Sequence, residues 1–513
     1  MSANALAIDL GTTACKASVV AIDGSVLGSG LTRIPVVFGE GGAAEQDAEL
    51  VWRLTLDACR AAIDEAGAQA AAAIVAVCVA SQWSSVVAVG ANGEPVSTLH
   101  MWFDGRGHDL ADALIQDQSS EAAHLWAEIH GFTPGTSLRH ILWFQSQPEI
   151  HARTAAYLEP MDYLNARFTG IIAATANSAM PLGLTDHRLL GCSDWSPELI
   201  ERAAVDRSRL PQLVASMSVL GPILPDVADT LSIPRGVDVV TGANDSIAAA
   251  FGAGALEPGQ AAMMMGTTGV LIAHHPTRHV DPDRFIVTMP SALDDRYYVV
   301  AEGGLGGKLI ELALAEVFGD EAIDGGEAFD KLSRAAAGSP PGASGVAFLP
   351  WVFGSASPAL DRRHRGAFLG LSLGTSAGDV ARAMLEGISM QMRWLTDEVE
   401  QAIGVDFGAI RFVGGGAQSD VWAAIMADVV GRPILQLANP RHANARGAAF
   451  MAFVATGRLA LDELAALVPV KARFEPNPAT ADLYTERLAV VRDLHRVLAE
   501  PVARLTHRTM EAS

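Results

Sequence analysis

Cysteine is scarce in this chain. Only Cys15, Cys59, Cys78 and Cys192 occur in 513 residues, with no paired spacing among them. That excludes a disulfide scaffold and a zinc ribbon, and it suits a reducing cytoplasm. Positive charge is short too: 36 Lys and Arg against 58 Asp and Glu leave a net charge of −22. No face basic enough for nucleic acid or an anionic membrane is expected. An anionic ligand must then be held by local devices: backbone N–H groups, a few cations or a metal ion. The longest apolar run, "AAAAIVAVCVA", falls short of the roughly 20 residues that a spanning helix needs. The opening "MSANALAIDL" has no basic segment and no cleavage site of an export signal. Two common nucleotide signatures are also missing. "EGGLGGKLI" around Lys308 lacks the spacing and the hydroxyl of a P-loop, and no G-x-G-x-x-G opens a helix after a strand. These absences predict a soluble cytoplasmic protein without nucleic-acid or membrane partners.

What is present reads as globular. Half the residues are hydrophobic, and 49 Gly with 25 Pro are spread thinly rather than clustered. The length exceeds one ordinary core, so two domains are expected, drawn here at 1–254 and 255–513. The first opens with an apolar strand from Ala5 to Leu10, a Gly11-Thr12-Thr13 turn, a strand in "KASVVAI", an Asp23-Gly24 hairpin signal and a third strand in "SVLGSG". A helix from about Ala48 to Ala66 follows, with Asp47 as N-cap. "AAIVAVCVA" has the pattern of a strand covered on both faces. Its expected partner is "SVVAVGANGEPV", turned at Asn92-Gly93. Near residue 237, "VDVVTG" reads as a buried strand running into a loop and a helix in "ANDSIAAAFGAG".

A second apolar strand meets a second Gly-Thr-Thr in "AAMMMGTTGVLIAHH", at Gly266, Thr267 and Thr268. The matching context on both sides points to a duplicated α/β domain with a nucleotide between the halves. Such a turn offers backbone N–H groups and hydroxyls to an anion without net positive charge. Asp9 beside the first turn would be costly as a lone buried carboxylate. It makes sense facing a hydrated Mg²⁺ on the same phosphates, because that ion keeps waters and takes few carboxylates. Lys16 either reaches back to the phosphates or simply faces solvent. "IRFVGGGAQSDVW" runs a strand into Gly414-Gly415-Gly416, where the lack of side chains would let a flat ring approach the backbone. "AHHPTRH" (His274, His275, His279) crosses a Pro-containing loop and reads as polar loop rather than zinc site.

Together these blocks resemble the FGGY carbohydrate kinase family, within the sugar kinase, chaperone ATPase and actin superfamily. "AIDLGTTACK" is similar to its first phosphate motif, "MMGTTGVL" to its second and "FVGGGAQSDVW" to its adenosine motif. "GAFLGLSLGTSAGDVARAMLEG", through Asp379 to Glu386, resembles its C-terminal signature, and "EQDAELVW" and "PMDYLNARFTG" resemble further blocks. The resemblance implies two ribonuclease H-like (actin/hexokinase-type) α/β domains flanking a cleft. It implies ATP and Mg²⁺ as cofactors, a small sugar or polyol as substrate, and a homodimer as a common assembly. It assigns Asp245 of "GANDSIAAAFG" as general base, a residue that could instead cap the following helix. Gly11, Thr12, Thr13, Lys16, Gly266, Thr267 and Thr268 would hold phosphates. Gly414, Gly415, Gly416, Ala417 and Gln418 would hold adenosine, and Asp9 the metal.

The substrate side departs from the nearest subgroup, the xylulokinases. Their Met-His-Gly segment is replaced by Trp83 and Ser84 after Gln82, and their Asp-Asn pair by Asp245-Ser246. Trp102, Asp104 and Arg106 keep the family's W-x-D-x-R pattern and are expected in the same pocket. His140 stands where Lys is preferred, and Ser355 and Ala356 where a Glu-Arg pair is usual. With Asp245 and both turns retained, altered specificity is expected rather than lost activity, with a pentulose such as xylulose as the first candidate. The competing readings are an ATPase coupled to a protein partner and a non-catalytic sugar sensor on the same scaffold.

Overall fold

β1 (Asn4–Leu10) is buried along its whole length in the computed structural model, which describes residues 3–117, 119–131, 136–307, 309–310 and 325–510. Lys308 lies outside the described residues. β1 turns into β2 (Ala14–Ala21) and then β3 (Val26–Arg33), an antiparallel set as the turn signals predict. α1 (Ala48–Ala66) has the expected bounds, and Asp47 accepts the Leu50 N–H at 3.0 Å as its cap. β4 (Ile74–Ser81) follows. The expected pairing of β4 with the segment after it does not form. β5 (Val87–Val89) leaves to pair with β6 (Ala156–Leu158), just before α2 (Pro160–Thr169). Both edges of β4 are already taken by parallel neighbours, β1 and β8 (Asp238–Asn244), the latter flanked by β7 (Val219–Pro222). A strand apolar on both faces sits inside a sheet, where a tight hairpin cannot supply its partners. No loop separates β8 from the next helix, α3 (Asp245–Ala253).

The second half repeats this plan. Its elements are β9 (Ala261–Met265), β10 (Thr268–His275), β11 (Val280–Asp281), β12 (Ile286–Pro290), β13 (Tyr297–Leu305), α4 (Ala377–Ile403), β14 (Ile410–Val413), α5 (Asp420–Val430), β15 (Ile434–Leu437), α6 (Ala443–Ala455) and β16 (Val470–Phe474). The sheet orders are β7-β8-β4-β1-β2-β3 and β11-β12-β13-β10-β9-β14-β15-β16. Two antiparallel pairings lead to the Gly-Thr-Thr strand in the first sheet and four in the second; in each, two parallel pairings follow, and an antiparallel strand (β7 or β16) comes next. The duplication read from two tripeptides is thus a duplication of sheet topology. The C-terminal block is a structural knot. Ser376 caps α4 by accepting the Asp379 N–H while Asp379 accepts the Ser376 N–H in return, and Glu386 accepts from the Gly342 N–H, Arg382 and Tyr484. Among the described residues no helix is long and apolar enough to cross a membrane.

Among the described residues two apolar clusters belong to the first half and one to the second, and a fourth spans both, centred on α3 and α6. These helices cross at glycine. A Cβ on Gly447 would lie 1.7 Å from the Ala248 carbonyl oxygen, and one on Gly252 would lie 1.8 Å from that of Ala443. Only residues without side chains permit backbones to meet this closely.

Candidate active site

Three parallel strands end in register. Leu10 of β1 and Asn244 of β8 both lie opposite Ser81 of β4, so Gly11, Gln82 and Asp245 emerge side by side. The carboxyl ends of parallel strands are where open α/β sheets take ligands. The Gln82 N–H donates to Leu10 O at 2.7 Å and ties two of these exits together. Asp245 is free of helix capping, because Asn244 accepts the Ile247 N–H at 2.9 Å. The Ser246 hydroxyl donates to Asp245 Oδ1 at 3.2 Å. Burial first, then the Asp9 charge, and more weakly Glu302 raise Asp245 from 3.8 to about 6. A carboxylate poised there is suited to take a proton near neutrality.

Asp9 is 9% exposed. Asn444, at the start of α6 in the other half, donates to it at 3.4 Å, and Lys16, opposite it in the β1–β2 register, stands 4.0 Å away. Burial raises its pKa against the pull of Lys16 and Asn444. A buried carboxylate so loosely partnered is a fit for a cation. One N–H of each turn is already engaged. Gly11 N–H donates to Ala14 O at 2.9 Å and Gly266 N–H to Thr268 O at 3.0 Å, each closing its own tight turn. What projects is Thr13 and Thr267, both exposed. Thr12 faces the acceptor side, where its Oγ1 accepts from Trp102 Nε1 at 3.3 Å.

The glycine loop after β14 divides. A Cβ on Gly414, where φ is +91°, would lie 2.6 Å from Met265 O, and one on Gly416 would lie 2.6 Å from the Trp422 ring. Both are demanded by packing against the end of β9 and against α5. Gly415 faces open space, so it alone of the three is free for a ring to rest on. Ala417 turns inward, 0% exposed in the C-terminal core; that corrects its expected place against adenosine. Gln418 is exposed, and its amide donates to Gly415 O at 3.1 Å.

On the acceptor side Trp102 is 47% exposed. Asp104 is fully buried, which corrects its placement as a pocket wall. Its carboxylate accepts from the Ala44 N–H at 2.8 Å and from Arg106 at 2.6 Å. Arg106 also pairs with Glu45 and lies over the Trp143 ring at 4.7 Å, so both charges are used within the protein. Gln82 is buried, with its side-chain oxygen unpartnered. Trp83 Nε1 donates to Ser178 O at 3.4 Å, and Ser84 has φ of 62°. His274 and His275 are buried in β10 rather than in the expected polar loop, and His274 bonds to Ala255 O and Ser291.

Sequence patterns missed Asn444, which donates to Asp9 from the second half, and Glu302, whose charge acts weakly on Asp245, because nothing local marks an interaction across the cleft. They also missed a buried trio, His100, Asp104 and His140, whose nitrogens and oxygen lie within 4.8 Å of one another. Asp104 there already accepts from Ala44 and repeatedly from Arg106. Burial and the charges of Arg106 and Arg139 keep both imidazoles neutral, with His100 pushed down to about 3. A cation would enter beside two guanidinium groups, an unfavourable place.

The model of the N-terminal domain of the FGGY family of carbohydrate kinases matches residues 4–252, and that of its C-terminal domain residues 261–456. The chain belongs to the FGGY family of carbohydrate kinases. It is similar to a xylulose kinase of Escherichia coli (strain K12), 26% identical across 96% of this chain and 99% of that protein. A glycerol kinase of Gloeobacter violaceus is 27% identical, covering 92% of each. The solved structure of a xylulose kinase from Rhodospirillum rubrum superposes with a TM-score of 0.83 at 26% identity, over 97% of this chain and 99% of that one. The fold is accordingly the two-domain actin/hexokinase-like kinase fold, and the protein is a sugar kinase that transfers phosphate from ATP.

Proposed function

We propose that this kinase phosphorylates a hydroxyl of a small sugar or polyol, a pentulose such as xylulose being the first candidate, with Asp245 as general base. The observation that carries the reading is the shared exit of Gly11, Gln82 and Asp245 from three registered strands. The first phosphate turn, the substrate turn and the base then sit side by side. An acceptor hydroxyl beside Asp245 gives its proton to a carboxylate oxygen as its own oxygen bonds to the γ-phosphorus. The bond to the bridging oxygen breaks and ADP leaves. A base of this kind contributes about 10²–10⁴-fold. Thr13 and Thr267 offer hydroxyls to the phosphates and Gly415 an open platform to adenosine. Asp9, with Lys16 beside it, is the residue to hold Mg²⁺, which when bound neutralises phosphate charge. Trp83 and Trp102 supply apolar faces for a carbon skeleton. The relatives named above carry xylulose and glycerol in their names, which favours a small polyhydroxylated acceptor.

The test is a panel of pentuloses, hexuloses and polyols with Mg-ATP, run on the wild type and on Asp245→Ala. Product with one class of acceptor and loss of turnover in the variant are expected. No product from any acceptor, or an equally fast variant, refutes the reading. ATP turnover without any acceptor, stimulated by a protein, would support a partner-coupled ATPase instead.

A further inference from the structure

The turn that follows β4 carries two unfavourable features at once. Ser84 lies in the left-handed region, φ 62°, where a Cβ is strained against the backbone. Behind it a carboxylate is shut inside the protein: Glu159, 1% exposed. Glu159 stands directly before α2, in the position that caps a helix, yet its side chain makes no cap bond. It turns to the strained loop. Its Oε2 accepts the Ser85 N–H at 3.2 Å and its Oε1 accepts the Ser137 hydroxyl at 2.8 Å. The Ser84 N–H faces the same carboxylate, and these bonds oppose the rise in pKa that burial causes. The other end of the turn is tied separately, by Trp83 Nε1 to Ser178 O.

A strained residue and a buried acid each persist only where the surroundings over-determine them, and such positions gather at ligand clamps. Here the strain and the acid meet in one hydrogen-bonded unit. That unit begins one residue beyond Gln82, between the first phosphate turn and Asp245. We infer that Glu159 is a positioning residue, holding the Trp83–Ser85 turn in its left-handed form and so fixing the wall that selects the acceptor. The inference rests on the reading that this turn lines the acceptor pocket.

The test compares Glu159→Leu, Glu159→Gln and Ser137→Ala, measuring KM for acceptor, KM for ATP, kcat, and amide exchange at residues 83–85. Glu159→Leu removes both acceptors. It should raise the acceptor KM at least tenfold, leave the ATP KM within twofold, and speed exchange of the Ser84 and Ser85 amides. Glu159→Gln still accepts from Ser85 and donates to Ser137, and should recover most of the loss. Ser137→Ala should raise the acceptor KM a few-fold, and it carries the test with Glu159→Gln should the Leu variant fail to fold. Acceptor and ATP KM moving together, neither moving, or a Gln variant as impaired as the Leu variant would overturn the inference. A wild type that phosphorylates nothing in the panel would instead refute the proposed function. In that case the exchange data still decide whether Glu159 holds the turn, and unchanged exchange in the variants overturns it.

Discussion

Replacing Asp245 with Asn should make the protein more stable and inactive at once. The carboxyl is raised from 3.8 to about 6, first by burial, then by Asp9 and Glu302. A shift of that size corresponds to about 3 kcal/mol at full ionisation, an upper figure for a partly exposed group. The sign follows from which state binds the proton more tightly. The folded pKa lies above the unfolded one, so the stability linked to this proton is fully present below pH 3.8 and lost as pH rises through about 6. An uncharged isostere escapes that loss. Asp245→Asn should therefore match the wild type in Tm below about pH 4, gain through the window up to pH 6, and lead by about 2–6 °C at pH 8, taking roughly 2 °C per kcal/mol for a lobe of this size. Capping is untouched, because Asn244 caps α3. The same substitution should lower kcat by about 10²–10⁴-fold. Thermal unfolding across this pH range, with ADP release measured on the same samples, tests both halves. A variant less stable than the wild type at pH 8, or one retaining kcat, would refute the reasoning.

Three further outcomes are expected. The acid limb of kcat/KM should titrate near pH 6 as Asp245 loses its proton, and Glu302→Gln should move that limb down slightly, since burial and Asp9 do more; a pH–rate series on both proteins checks this. Gly415→Ala should leave Tm unchanged, because its Cβ meets nothing within 4 Å, while raising the KM for ATP; an unchanged ATP KM removes adenosine from that loop. Gly447→Ala would put a Cβ 1.7 Å from Ala248 O and should cost about 1–3 kcal/mol by overpacking, whereas Gly408→Ala, with open space around it, should cost far less; denaturant melts of the pair measure the difference.

What could be read in advance was local. The bounds of α1, its Asp47 cap and the strand–turn–strand around each Gly-Thr-Thr come from residues a few positions apart, and each formed. Registers and contacts between distant segments were not legible. Both edges of β4 are filled by strands far from it in sequence, so the adjacent Val87–Val89 segment pairs elsewhere. The Gly-Gly-Gly run looked like one feature, but packing against Met265 and Trp422 accounts for two of its members. Asp104 and Arg106 fitted a pocket by motif, yet they satisfy each other, Ala44 and Glu45. Glu159 carried no motif, because its meaning lies in a strained turn more than seventy residues away.

The base and the carboxylate beside the first turn are linked through one helix crossing. Asp245 opens α3, just under one turn before Ala248, whose carbonyl meets Gly447. Asn444, which reaches Asp9, stands just under one turn before Gly447 on α6. Each active-site contact is thus carried by the same short rigid segment as the glycine contact. Close-packed helices shift as units rather than deforming continuously. A change in how α3 and α6 meet must therefore move Asp245 and Asn444 together. Phosphoryl transfer depends on the distance between base, acceptor and phosphate, so with Asp245 as the proposed base the glycine pair would set the catalytic geometry from outside the proposed site.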